Sequence, residues 1–168
     1  MSRFAKRPRL LIVLVALLGA LLLTESVALA AITLTRTGKA VTALKTVASD
    51  AVVSTTSDSF VDVPGMSLLV SVPEGTSALF MINFSANSRC HSQGAGFCQL
   101  RAAVDRTGVF PSPMYVPGAT AWEVRTAHWV AGLLAAGSHV IKIQYSAPSI
   151  PETFYLHNTT LTVLRSKV

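Results

Sequence analysis

The sequence predicts an all-β, antiparallel sandwich of jelly-roll type with about 8–10 strands, following a cleaved signal peptide. Three observations carry this. From residue 50 onward, apolar and polar residues alternate with period two. Turn formers interrupt the alternation every 8–14 residues or so. After the apolar run Leu10–Leu23 no helical stripe of useful length follows.

That run explains an unusual composition. The chain has 168 residues, 51% apolar and 13% charged, with a mean hydropathy of +0.51. Residues 1–30 hold a basic start (MSRFAKRPR), the fourteen-residue run LLIVLVALLGALLL, and TESVALA. These are the three parts of a secretory signal peptide, with Ala28 and Ala30 at an A-x-A cleavage site and Ala31 as the new N-terminus. An uncleaved anchor is the competing reading. Fourteen helical residues rise only ~21 Å against a hydrocarbon core of ~30 Å. Lengthening the span would bury Glu25, at about 2.5–3.5 kcal/mol. The expectation is export by the general secretory route, with no stable membrane span after cleavage. The leader also carries three of the six net positive charges, so the exported protein is only mildly basic.

Residues 31–49 read as a Ser/Thr-rich lead, either a flexible tail or an edge strand. Val41–Ala51 is the one place where a short helix would fit. The domain is expected over 50–168, with Asp50–Thr56 as its first strand. Met66, Leu68, Val70 and Val72 then share a face, and Pro73-Glu74-Gly75 ends that strand. Phe80, Ile82, Phe84 and Ala86 point inward while Asn83, Ser85 and Asn87 point out. Leu100, Ala102 and Val104 form the next inward set, closed by the turn Asp105–Gly108. A proline-rich loop, Pro111–Thr120, leads to a strand over Trp122–Val130. After a turn at Ala135–Ser138, His139, Ile141, Ile143 and Tyr145 share a face. Phe154–Leu156 and Thr159–Arg165 complete the set, with Leu161 and Val163 inward.

Two cysteines follow the leader, Cys90 and Cys98, in RCHSQGAGFC. In an oxidising compartment this spacing reads as one disulfide closing a short loop, expected to join adjacent antiparallel strands of a hairpin. A zinc site with His91 would need a second ligand pair, which is missing, and a redox motif would show C-x-x-C.

The segments FVDVPGMSLLVSVPEGTSALFMINFSANSRC, CQLRAAVD, GLLAAGSHVIKIQY and TLTV resemble a loose group of secreted bacterial proteins without assigned function. Their presumed fold is the tumour-necrosis-factor/complement-globular type of jelly roll. The resemblance spans residues 50–165. It implies a ten-strand jelly roll and a homotrimer, and carries over no catalytic residue.

Chemistry-bearing patterns are sparse. The carboxylates fall mostly in turns and at strand ends. His91, His128, His139 and His157 form no H-x-H or H-E-x-x-H array, and no G-x-S-x-G elbow is present. Scattered basic residues exclude a nucleic-acid surface. No cofactor or metal is expected. Glu123, Asp105 and His139 are the least poor residues for an envelope-polymer hydrolase. Asn83 and Asn158 sit in glycosylation sequons, informative only in a eukaryote.

What remains is surface recognition by aromatic side chains stacking on sugar rings. Trp129, Tyr115 and Tyr155 are the ligand-stacking candidates, with Trp122 and Tyr145 considered beside them. Seven residues separate Trp122 from Trp129, so a regular strand points them to opposite faces. Grouping Trp122 with Val124 and Val130 makes it the core residue and exposes Trp129. The expected function is that of a secreted, non-enzymatic sandwich acting by surface binding or self-association. Its partner would be a glycan or another cell-envelope component, which makes a carbohydrate-binding module the alternative.

Overall fold

A computed structural model describes residues 40–92, 96–148 and 152–168. The signal peptide expected over 1–30, with its Ala30–Ala31 junction, lies outside the described residues. So does the start of the lead segment.

The described chain contains ten strands and no helix. They are β1 (Ala40–Ser49), β2 (Val53–Thr55), β3 (Val61–Val72), β4 (Ala78–His91) and β5 (Phe97–Val104). After these come β6 (Thr107–Gly108), β7 (Met114–Pro117), β8 (Glu123–Leu134), β9 (Gly137–Ser146) and β10 (Thr153–Lys167). One sheet, which we term the A sheet, runs β1-β10-β4-β8, with β2 also paired to β10. The B sheet runs β3-β9-β5, and β6 and β7 share the far edge of β5. All these pairings are antiparallel. Apart from β5 to β7, successive long strands alternate between sheets, the winding of a jelly roll.

The period-two pattern places the core. Phe80, Ile82 and Phe84 from β4, Leu161 and Val163 from β10, Ile141 and Ile143 from β9, and Met66 from β3 are all essentially inaccessible. At ~25 cal/mol per Å² of apolar surface removed from water, this interior drives folding. Two irregularities keep it in phase. Leu156 and Thr159 both face inward although three residues separate them, because a bulge with Asn158 at φ 49° takes up the extra residue. The two segments expected here are therefore one strand. Gly65, at φ 76°, does the same between Val63 and Met66.

Several expectations are corrected. The first strand begins at Ala40, inside the segment read as a lead, and pairs with β10 over its whole length. Where a helix would have fitted, Val41–Ser49 is extended. Edge-strand pairing decides this: Val47 packs on the core while Thr42 and Thr46 face water. The Pro111–Thr120 loop contains β7. The disulfide does form, between Cys90 and Cys98, but it does not pin a hairpin. Cys90 ends β4 in the A sheet and Cys98 opens β5 in the B sheet, so the bridge ties the two layers together.

Trp129 is the largest correction. It is 0% exposed. The parity argument holds, but the face assignment inverts. Val124 is 78% exposed and lies on the outer side with His128, whereas Ala127, Trp129 and Ala131 face inward. Two alanines leave room for one indole beside Ile82, its cross-strand partner.

Candidate functional site

The registers lay out the outer face of the A sheet as rows. Nearest the N-terminal end of β4, Leu44, Leu164, Met81 and Val130 stand side by side across all four strands. The next rows are polar: Thr46, Thr162, Asn83 and His128, followed by Ala48, Thr160, Ser85 and Thr126. His128 donates from Nδ1 to Asn83 Oδ1, and the hydroxyls of Thr46 and Thr162 lie 3.2 Å apart. At the opposite end Tyr155 pairs with Arg89, and His157 with Asn87.

Trp122 completes this last group. It sits one residue before β8 and is 42% exposed. Its ring is 6.3 Å from that of Tyr155 and 6.1 Å from that of His157, both edge-on. Arg89 ties the rings together, its guanidinium carbon 5.1 Å from the Trp122 centroid and 4.7 Å from that of Tyr155. Such contacts are worth roughly 0.5–2 kcal/mol each, depending on desolvation. No carboxylate among the described residues pairs with Arg89, and its Nε is buried without a hydrogen-bond partner.

The loop before Trp122 is fixed by the disulfide end of the fold. Gly118 N–H donates to Gly96 O (2.9 Å), and Ala119 N–H to Cys90 O (2.8 Å). A depression of about 380 Å³ opens at this loop, lined by Ser92, the segment Gly118–Ala121 and Glu123. A Cβ at Gly118 would come within 2.2 Å of Ser92 Oγ and 3.1 Å of Gly96 O, so a larger residue here would push the Ser92 hydroxyl aside and crowd the Gly96 carbonyl.

The remaining candidates lie elsewhere. Tyr115 is 60% exposed on β7 and meets Phe97 edge-on at 5.0 Å, on the B sheet. Tyr145 is buried, with its hydroxyl donating to Ser54 O. Desolvation by that burial raises its pKa above the ordinary phenol value. Of the stacking candidates, only Tyr155 belongs to the cluster that contains Trp122. Sequence reasoning missed Arg89 because neighbours on other strands supply its role.

The hydrolase residues are separated. Glu123 pairs with Arg125 on the A sheet. Asp105 and His139 do meet, with Oδ2 2.7 Å from Nδ1. However, the other histidine nitrogen is held by Ala135 O at 2.9 Å, and Asp105 Oδ1 accepts from Val140 N–H. With both ring nitrogens committed, the pair fastens the β5–β6 turn to β9. The Ala135 carbonyl, then Asp105, raises the His139 pKa above its usual value. The Val140 N–H, then His139, lowers that of Asp105. His139 therefore stabilises the fold below its unfolded pKa of ~6.5, and this is lost as pH rises through its folded value. Asp105 stabilises above ~3.9, and this is lost as pH falls through its lower folded value. Both contributions are complete only between those limits. Thermal melts across pH should show His139→Gln removing part of the stability on the acid side of neutrality and little above it.

On the B sheet, Asp62 is held by Lys142 and Gln144, at 2.5 and 2.8 Å. Arg101 donates to Gln144 and stacks on Phe60. That outer face is charged and internally paired. The A face carries one full charge, Arg89, with no carboxylate to meet it.

No family model matches the sequence, and no curated protein matches it. Solved structures that show a likeness include the following three. Dimeric latent PorU from Porphyromonas gingivalis aligns over 79% of this chain at TM-score 0.42 and 8% identity. A family 35 carbohydrate-binding module from Clostridium thermocellum aligns over 70% of this chain and 90% of its own, at TM-score 0.36 and 16% identity. A family two carbohydrate esterase from Cellvibrio japonicus aligns over 74% of this chain at TM-score 0.31 and 12% identity. The chain spans 14% of PorU and 34% of the esterase.

Proposed function

We propose that the protein is an exported binding module that recognises a glycan carrying acidic groups, at the Trp122 end of the A sheet. One observation carries the reading: an arginine without a carboxylate partner is held between the exposed Trp122 ring and the half-buried Tyr155 ring. Trp122 and Tyr155 offer apolar faces for sugar rings. The Arg89 fork suits a carboxylate or sulfate on that sugar. A buried disulfide accords with export to an oxidising compartment.

The test is isothermal titration calorimetry of the exported protein with polyuronate, sulfated and neutral oligosaccharides. A saturable change is expected for an acidic series, weaker in high salt. Trp122→Ala should weaken binding at least ~10-fold, a loss of ~1.4 kcal/mol. Arg89→Gln should reduce the preference for acidic over neutral sugars. A flat response to every acidic oligosaccharide would overturn the reading.

A further inference from the structure

At the far end of the same face, Leu44 is 63% and Met81 49% exposed, with Leu164 and Val130 half-buried beside them. They form one unbroken apolar row from the β1 edge to the β8 edge. Leu79, half-buried, and Leu133, exposed, extend it toward the β8–β9 turn. Scattered exposed apolar residues are ordinary, whereas an aligned row across a whole sheet is a candidate interaction surface.

We infer that this row is where a second copy of the chain docks, row against row and sheet against sheet. Charge and size argue for a copy over a different partner. The row and the two polar rows beside it carry no full charge, so identical faces meet without like-charge repulsion and offer nothing to an acidic or basic partner. Threonine, asparagine and serine side chains next to the row can hydrogen-bond to their counterparts, which gives an apolar centre and a polar rim. Four strands at ~4.8 Å spacing, over six or seven residues at ~3.4 Å, make roughly 400 Å² per copy. That is about half of the ~800 Å² per partner of a standard interface, so the dimer is a reversible one. The aromatic cluster lies outside the area covered, and the inference is independent of the glycan reading.

Sedimentation velocity of the exported protein across a concentration series tests this. A monomer–dimer equilibrium is expected in the micromolar range. Leu44→Lys and, separately, Met81→Lys should each shift it toward monomer by ten-fold or more, with far-ultraviolet circular dichroism unchanged. Leu69→Lys, an exposed leucine on the opposite sheet, and Trp122→Ala should leave it unchanged. A wild-type monomer at high micromolar concentration overturns the inference. An oligomer that survives both lysine variants also overturns it.

Discussion

Replacing Trp129 by alanine is expected to cost about 3–5 kcal/mol of folding stability, read as a lower urea midpoint at unchanged slope. The indole is fully buried between Ala127 and Ala131 on its own strand and beside Ile82 on the next. Residues that small cannot move in to fill the void, so loss of apolar burial and creation of a cavity add together. Trp129→Phe should cost clearly less. Phenylalanine keeps most of the volume, and it removes an indole N–H that is buried without a partner. Trp122→Ala supplies the contrast: a small change in stability, because the ring is partly in water, and a large change in glycan binding. A urea midpoint for Trp129→Ala close to wild type would mean that this side chain does not fill the core.

Loss of the disulfide is the second large effect. Changing both Cys90 and Cys98 to alanine is expected to destabilise the fold by about 2–3 kcal/mol, from the entropy of a loop this short. Alanine avoids burying a hydroxyl that lacks a partner. The effect should extend to function. The bridge joins the ends of β4 and β5, and the hydrogen bonds that fix the loop before Trp122 go to Cys90 and to Gly96 inside the closed loop. Oligosaccharide affinity should therefore fall in the variant, at a denaturant concentration where the fold is intact. Unchanged affinity with reduced stability would separate the disulfide from the site.

The strands were legible because their information is local. Alternation along Phe80–Ala86 or Ile141–Tyr145 reports which side meets the core, whatever the partner strand. The turn at Asp105-Arg106, both with positive φ, was legible for the same reason. For β1 the sequence left a tail and an edge strand both open, since short polar residues suit a strand only when β10 lies alongside.

Residue parity likewise says that Trp122 and Trp129 oppose each other, and it cannot say which side is inside. Val124 looks like a core residue by type, yet it faces water near the end of an edge strand. Two alanines look uninformative, yet they make the space that buries Trp129. That choice depends on what the other sheet brings opposite.

The sequence by itself determined the all-β class, the positions of β3, β4, β5, β8 and β9, the pairing of two cysteines and the scarcity of catalytic motifs. All of these follow from side-chain period, turn chemistry and residue counts. Tertiary structure alone decided that the disulfide crosses between sheets, that Trp122 rather than Trp129 is accessible, and that Arg89 stands between two rings. It also decided that Leu44, Leu164, Met81 and Val130 align in one row. Each of these depends on strand order and register, through contacts between residues far apart in the chain that no local pattern encodes.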